Sequence, residues 1–405
     1  MRLLIVESGD QNFRGYILQT LYKNDFKIVL LKQSNPTWEQ PFIEDTIITD
    51  FENETEVLSA VTQFHLTRPF DGIFTYVEFH VELTARLAKV LGLRFFSEES
   101  AHYVRNKYLM RQQLLNQGLR TPLFTKVVGE VETAISHVGF PLVIKPVYGT
   151  ASINVIKITG ESDVNKISSI INGNSSIVLD IAPEYMVEAY LDGDEVSVES
   201  LVIESRIHHV TVTDKFKSAE PFFEEIGHTV PSALPFEMQC QVTEEVTKGI
   251  QAIGLNNCAV HTELRLTEAG PVIVEIAGRL GGDKIPFLVY LSKQVDMALA
   301  TAYASVGVEI NLKLKSTKAA TIGFFVPITK QQIKNVPKAP PKIEGISEFV
   351  FWANVGDTIA SPPEQFFTRL GYVIAVGKSH LESQHRVAKT IEWVMNETGI
   401  NLCTF

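Results

Sequence analysis

Cysteine is scarce in this chain of 405 residues, and Cys240, Cys258 and Cys403 are far apart and odd in number. A disulfide framework is therefore not expected, no pair has metal-ligand spacing, and a reducing cytoplasm is the expected setting. Long apolar runs are missing too: none approaches the roughly 18 residues that a membrane helix needs. Met1 to Glu7 holds too short an apolar stretch for a signal peptide and reads as an opening core strand. Positive charge is in deficit, with 36 Lys and Arg against 47 Asp and Glu and a formal net charge of −11. That argues against a nucleic-acid partner, because phosphate contacts need a basic surface. The first strand-to-helix loop, Glu7 to Gly15, lacks the three-glycine dinucleotide fingerprint. No P-loop pattern, Gly-x-Ser-x-Gly elbow or other nucleophile constellation occurs.

What is present is globular: 45% hydrophobic and 20% charged residues, without low-complexity tracts. The length implies two or three domains. Over the first hundred residues strands (Leu3 to Val6, Lys27 to Leu31, Gly72 to Tyr76) alternate with helices (Gly15 to Tyr22, Glu54 to Leu66, Phe79 to Leu91), which predicts an α/β unit with a parallel sheet covered on both faces. One long helix is expected from Glu98 to Asn116, stopped by Gly118 and Pro122. Residues 123–185 read as a smaller α/β unit, with a helix over Ser162 to Ile171 among its elements. From Tyr185 the pattern is strand-rich, followed by an irregular stretch over Lys215 to Pro235 and a helix near Val242 to Ile253. The tail from Ala319 mixes strands, a proline-rich loop at Pro337 to Pro341, and a helix near Ser383 to Thr398.

Two runs rich in Val, Ile, Leu and Thr flank a Gly-Pro turn: His261 to Thr267 and Gly270 to Arg279. This spacing predicts a hairpin with Glu263 and Glu275 on neighbouring strands, pointing the same way. Two such carboxylates make a hard oxygen site for magnesium beside phosphates, and Arg279 lies just beyond. The plainer account is a solvated hairpin face. Lys145 ends an apolar strand and precedes a loop of small residues, Gly149, Thr150, Ala151 and Ser152. Small side chains let backbone N–H groups approach phosphate oxygens, and the lysine adds charge; an ordinary turn with a surface lysine is the alternative. In Glu188 to Glu195 a strand breaks at Asp-Gly, and such a segment either holds an adenosine or is a plain turn. Lys107 on the long helix and Lys215, Glu225 and His228 in the irregular stretch are further candidates, each with an unremarkable surface or hydrogen-bonding alternative.

These signals occur in one order, from the Asn-Lys-x-x-Met-Arg helix to the two glutamates and Arg279, and that order resembles the ATP-grasp superfamily of carboxylate–amine ligases over nearly the whole chain. The resemblance implies an ATP-grasp fold with an N-terminal parallel-sheet domain (1–98), a linker helix and small α/β lid (99–185), and a larger mixed-sheet domain that binds ATP and substrate (186–405). It assigns Lys107 and Lys145 to the ATP phosphates, with Lys215 as a further cation, and Gly149 to Ser152 to a mobile phosphate-covering loop. Glu188 and Leu191 match the adenine hinge and Glu195 the ribose acid. Glu263 and Glu275 match ligands of Mg2+ or Mn2+, and Arg279 the arginine near an acyl phosphate. Many members place Asn where this chain has Ala277.

Glu-x-Ala-x-Arg, preceded by His-Thr-Glu, is similar to the bacterial L-amino-acid ligases, including arginine-selective ones. That likeness implies amino-acid substrates, with Glu225 on an amino group, His228 on a carboxylate and Asp283 as a reader of an arginine side chain. A homodimer is the family-level expectation. The rival readings are a purine-pathway or biotin-carboxylase-like ligase, and a nucleotide-binding protein without turnover.

Overall fold

Three of the first four strands are almost wholly apolar, which suits a sheet buried on both sides. In the computed structural model, which describes residues 1–164, 184–310, 312–314, 318–338 and 342–405, Arg2–Val6 (β1), Lys27–Lys32 (β2), Asp45–Ile48 (β3) and Gly72–Phe74 (β4) form a parallel sheet in the order β3-β2-β1-β4. β3 carries no strong sequence signal and was not expected. Alternate residues serve two cores. Leu4, Val6, Val29 and Leu31 pack with Val57, Val61, Leu87 and Ala88 of the helices Glu54–Thr67 and Val81–Leu91. Leu3, Ile5, Ile28 and Leu30 pack with Ile17, Leu18 and Leu21 of the helix Gln11–Lys23. This second core continues without a break into the carboxy-terminal half, through Ala298, Ala302, Ile322 and Phe324.

Phe124–Lys126 (β5), Leu142–Pro146 (β6), Ile156–Ile158 (β7) and Tyr185–Ala189 (β8) build a second sheet, order β5-β8-β6-β7, with every pairing antiparallel. The helix Val131–Val138 covers it, and Ala134, Ile135, Leu142, Ile144 and Val187 give it a core of its own. The helix expected over Ser162 to Ile171 lies outside the described residues beyond position 164, as do positions 339–341 of the proline-rich loop.

The largest sheet contains Asp194–Ile203 (β9), Arg206–Lys217 (β10), Glu225–Val230 (β11), Cys258–Thr267 (β12), Gly270–Ala277 (β13) and Ala319–Phe324 (β14). After the short strand Gln331–Gln332 (β15) come Ile346–Phe351 (β16), Thr358–Ile359 (β17), which pairs with β15, and Gly371–Gly377 (β18). The eight-stranded order is β13-β12-β9-β10-β11-β14-β18-β16, and each neighbouring pair is antiparallel. The helices Phe236–Ile253 and His380–Thr398 pack against it. Among the described residues no helix is long and apolar enough to cross a membrane.

Two expectations are corrected. The stretch Lys215 to Pro235 is not irregular, because β11 runs through it between β10 and β14. The long helix is two, Glu98–Arg105 and Lys107–Asn116, broken at Asn106 with φ −107° and ψ 102°. The break is a cap: Asn106 Oδ1 accepts from the Leu109 N–H at 3.0 Å. Lys107 thus becomes the first residue of a new helix, with its backbone N–H donating to the Val147 carbonyl at 3.0 Å.

Candidate active site

The three layers meet around a cavity of about 420 Å³. Its walls include Lys107, Lys145, Gly149, Thr150, Ala151, Ser152, Glu188, Leu191, Glu195, Lys215, Glu225, Glu263, Glu275, Arg279 and Asp283. Of the residues singled out in the sequence only His228 is absent from the wall. It is fully buried on β11 behind the cavity, where Nε2 lies 3.1 Å from Asp283 Oδ2.

Glu263 and Glu275 are register partners across β12 and β13, so both carboxylates leave the same face. Lys107 lies 3.3 Å from Glu275 and donates to the Gly149 carbonyl at 2.9 Å. Lys215, almost fully buried, contacts Glu263, lies 2.5 Å from Glu225 and 3.7 Å from Glu195. Burial alone would push the Glu263 carboxyl up; Lys215 and His261 outweigh it and hold the group well below the usual carboxylate range. Burial likewise opposes the charge on Lys215, and Glu225, Glu263 and Glu195 drive its ammonium well above the ordinary lysine range.

His261, buried on β12, was quoted in the sequence motif without a role. Nδ1 lies 2.8 Å from Glu199 and Nε2 3.2 Å from Glu263. Burial would lower it, but the two carboxylates raise it to about 9, so it is an imidazolium at neutral pH. Its register partner is Ala277, the position where the family pattern has Asn. Glu263 Oε1 is therefore shared by Lys215 and by a histidine of its own strand, while the facing position on β13 offers only a methyl group.

At the lid end, Lys145 is buried with Nζ 2.5 Å from Glu188 Oε1. Arg111, fully buried, holds the same carboxylate from Nε and Nη2 at 3.1 and 3.0 Å, and donates from Nη1 and Nη2 to the carbonyls of Ile273 and Val274 at 2.6 and 2.9 Å. One arginine thus pins β8 of the lid sheet to β13 beside the two glutamates. Ala151 and Ser152 have φ of 57° and 54°, a left-handed backbone that L residues adopt at a cost and that recurs at ligand-binding loops. Glu195 is held by Lys217 and, at 3.0 Å, by Arg265.

At the opposite end, Arg279 contacts Glu78, whose other oxygen takes Arg105 Nη1 at 2.7 Å. Burial would raise Glu78; the two arginines bring it down to about 2. Arg369 grips Asp283 with Nη1 and Nη2 at 2.6 and 2.8 Å. Sequence reasoning gave no role to Glu78, Arg105, Arg111 or Arg369, since each finds its partner dozens to hundreds of residues away.

Comparison with known proteins places the fold. Residues 138–286 match an ATP-grasp domain and residues 26–94 an ATP-grasp N-terminal domain. An alanine–anticapsin ligase of Bacillus subtilis is 27% identical over 56% of this chain, and the chain spans about half, 52%, of that relative's length. An L-arginine-specific L-amino acid ligase of Bacillus subtilis is 23% identical over 84% of each chain. The solved L-amino acid ligase from Bacillus licheniformis superposes with a TM-score of 0.80 over 100% of this chain and 98% of its own, at 21% identity. The fold described above is therefore the ATP-grasp fold.

Proposed function

We propose that this member of the ATP-grasp superfamily is an ATP-dependent ligase that activates the carboxylate of one amino acid and joins it to the amine of a second, giving a dipeptide, ADP and phosphate. The observation that carries the reading is the register pairing of Glu263 with Glu275 on a cavity wall that also presents Lys107, Lys145 and Arg279.

The donor set fits a hard divalent cation: two facing carboxylates partly open to the cavity, with no soft ligand among them. Glu263 and Glu275 would hold magnesium or manganese, which supplies charge neutralisation to transferring phosphates. The residues do the rest. Lys107 and Lys145 steady the phosphates, and for Lys145 this means exchanging Glu188 for a phosphate oxygen. A substrate carboxylate oxygen attacks the γ-phosphorus, the bond to ADP breaks, and an acyl phosphate forms. A neutral amine then attacks the acyl carbon. Arg279, its guanidinium fixed by Glu78, stabilises the oxyanion and the departing phosphate, which leaves with the proton lost by nitrogen. The lid sheet excludes water from the acyl phosphate.

Glu225 faces the cavity and suits a substrate ammonium. Asp283 is already engaged by Arg369 and His228, so we do not extend the arginine selectivity of the Bacillus relative to this chain through it. His228 stands behind both carboxylates, 3.1 Å from Asp283 and 3.6 Å from Glu225, and bears on substrate through them.

The test is ADP and phosphate release with magnesium-ATP across single and paired L-amino acids, with products identified by mass spectrometry. Amino-acid-dependent release with a dipeptide supports the reading. Release that answers only to bicarbonate, or nucleotide binding without release, overturns it.

A further inference from the structure

Seven Lys and Arg side chains line the cavity. Six are ion-paired: Lys107 with Glu275, Lys145 with Glu188, Lys215 with Glu225 and Glu263, Lys217 and Arg265 with Glu195, and Arg279 with Glu78. The seventh, Arg14, has no carboxylate at ion-pair distance among the described residues. Its side chain donates one hydrogen bond there, from Nη1 to the Gly281 carbonyl at 2.9 Å. A guanidinium carries five N–H donors in a planar fork and stays charged in a protein; the Gly281 carbonyl takes one and the Tyr16 hydroxyl also bears on it, which leaves donors free for a ligand.

The surroundings are built for an anion. Arg14 lies over Tyr76, 5.9 Å from the ring centroid. The Tyr76 hydroxyl, on the same cavity wall, is buried without a hydrogen-bond partner among the described residues, and the buried Tyr16 hydroxyl lies against Arg14 itself. Gly9 has φ +67°, and a Cβ there would stand 3.2 Å from Arg14 Cγ, so the glycine keeps room for the side chain. The charged groups bearing on Arg14 are Arg279, which repels it, and Asp283, which attracts it but is committed to Arg369 and His228. An unpaired cation in a cavity where every other cation has a carboxylate marks where a ligand carboxylate belongs.

Which carboxylate follows from the chemistry, and here the inference rests on the ligase reading. Of two amino acids, one offers its carboxylate to phosphorus beside Arg279. The other must keep its carboxylate away from phosphorus, or it too would be phosphorylated. Arg14 belongs to the N-terminal domain, and the Gly281 carbonyl it holds sits two residues past Arg279. We propose that Arg14 anchors the carboxylate of the amine-donating amino acid, with its amine directed toward the acyl carbon at Arg279, and that the enzyme thereby selects free amino acids over their amides as acceptors. Bidentate Arg–carboxylate pairing supplies the geometric specificity.

The experiment compares L-alanine with L-alaninamide as amine donor, and the same acid–amide pair for every amino acid that supports turnover, in the wild-type protein and in Arg14→Gln and Arg14→Lys. For Arg14→Gln we expect kcat/KM for the acid to fall roughly a hundredfold, as when one partner of a buried charge pair is removed, with little change for the amide and an unchanged KM for ATP. Arg14→Lys retains part of the preference, which separates charge recognition from damage to the fold. An equal fall for acid and amide, or an acid preference that survives Arg14→Gln, overturns the assignment while dipeptide formation by the wild type leaves the ligase reading intact. A wild-type protein that forms no dipeptide overturns both.

Discussion

Glu263 stands directly opposite Glu275 across β12 and β13, yet the two carboxylates are held by different cations, Lys215 for the first and Lys107 for the second. Lys215 is locked among three acids on the large sheet, whereas Lys107 starts a helix and touches the lid loop at Gly149. The half held within the large sheet and the half tied to the Gly149 loop can therefore be tested apart.

Glu275→Gln should lower amino-acid-dependent ADP release by roughly a hundred- to a thousandfold, the scale of losing charge stabilisation at transferring phosphates. The group is partly exposed and among the described residues its ion pair is with Lys107, so stability should change by about 1 kcal/mol or less. A coupled ADP assay and a urea titration check both; retained turnover, or a collapsed fold, contradicts the assignment.

Lys215→Met should do the reverse in emphasis. It strands Glu195, Glu225 and Glu263 around a buried apolar side chain, and removing one partner of such a cluster costs about 3–5 kcal/mol. The urea midpoint should fall accordingly, and a double variant with Glu225→Gln should regain part of the loss.

Stability should fall off at both ends of the pH scale, for identifiable reasons. His261 is raised from 6.5 to about 9, so its contribution is complete below pH 6.5 and is lost as pH rises through about 9. Glu78 is lowered from 4.5 to about 2, so its contribution is complete above pH 4.5 and is lost as pH falls through about 2. Each swing is on the order of 3 kcal/mol. Urea midpoints measured from pH 6 to 10 should decline in the wild type and much less in His261→Gln; parallel curves would contradict the account.

Asn106→Ala should cost about 1 kcal/mol as a lost cap and should also raise the KM for ATP. Besides capping, Asn106 Nδ2 donates to the Tyr148 hydroxyl at 3.0 Å, next to the small-residue loop. A melt together with ATP saturation kinetics separates the two effects. A stability loss with an unchanged KM would confine Asn106 to capping.

The glutamate hairpin was legible because its signal is local: alternating β-branched residues around Gly270-Pro271 fix both strands and the face of each carboxylate. The break at Asn106 was not, since the helical pattern runs on across it and the break depends on a cap. β11 was missed for a different reason. It carries Glu225 and His228 in the middle of a sheet, polar residues that a buried strand tolerates only because Lys215 and Asp283 satisfy them. Its Gly227, which reads as a loop residue, is required by packing: a Cβ would lie 2.6 Å from the Ile322 carbonyl and 2.7 Å from the Phe405 ring. Contacts such as Glu78 with Arg279, 201 residues apart, leave no trace in sequence order.

The walls of the cavity have a charge parity. Eight carboxylates, Asp10, Glu78, Glu188, Glu195, Glu225, Glu263, Glu275 and Asp283, face seven Lys and Arg side chains and, just below pH 9, the imidazolium of His261. A naked polyphosphate entering between these walls would bring several negative charges where most of the lining cations already have carboxylate partners. One that arrives with divalent cations brings far fewer. The pairing of these walls is thus better matched to a polyphosphate that carries its own divalent cations than to a naked one.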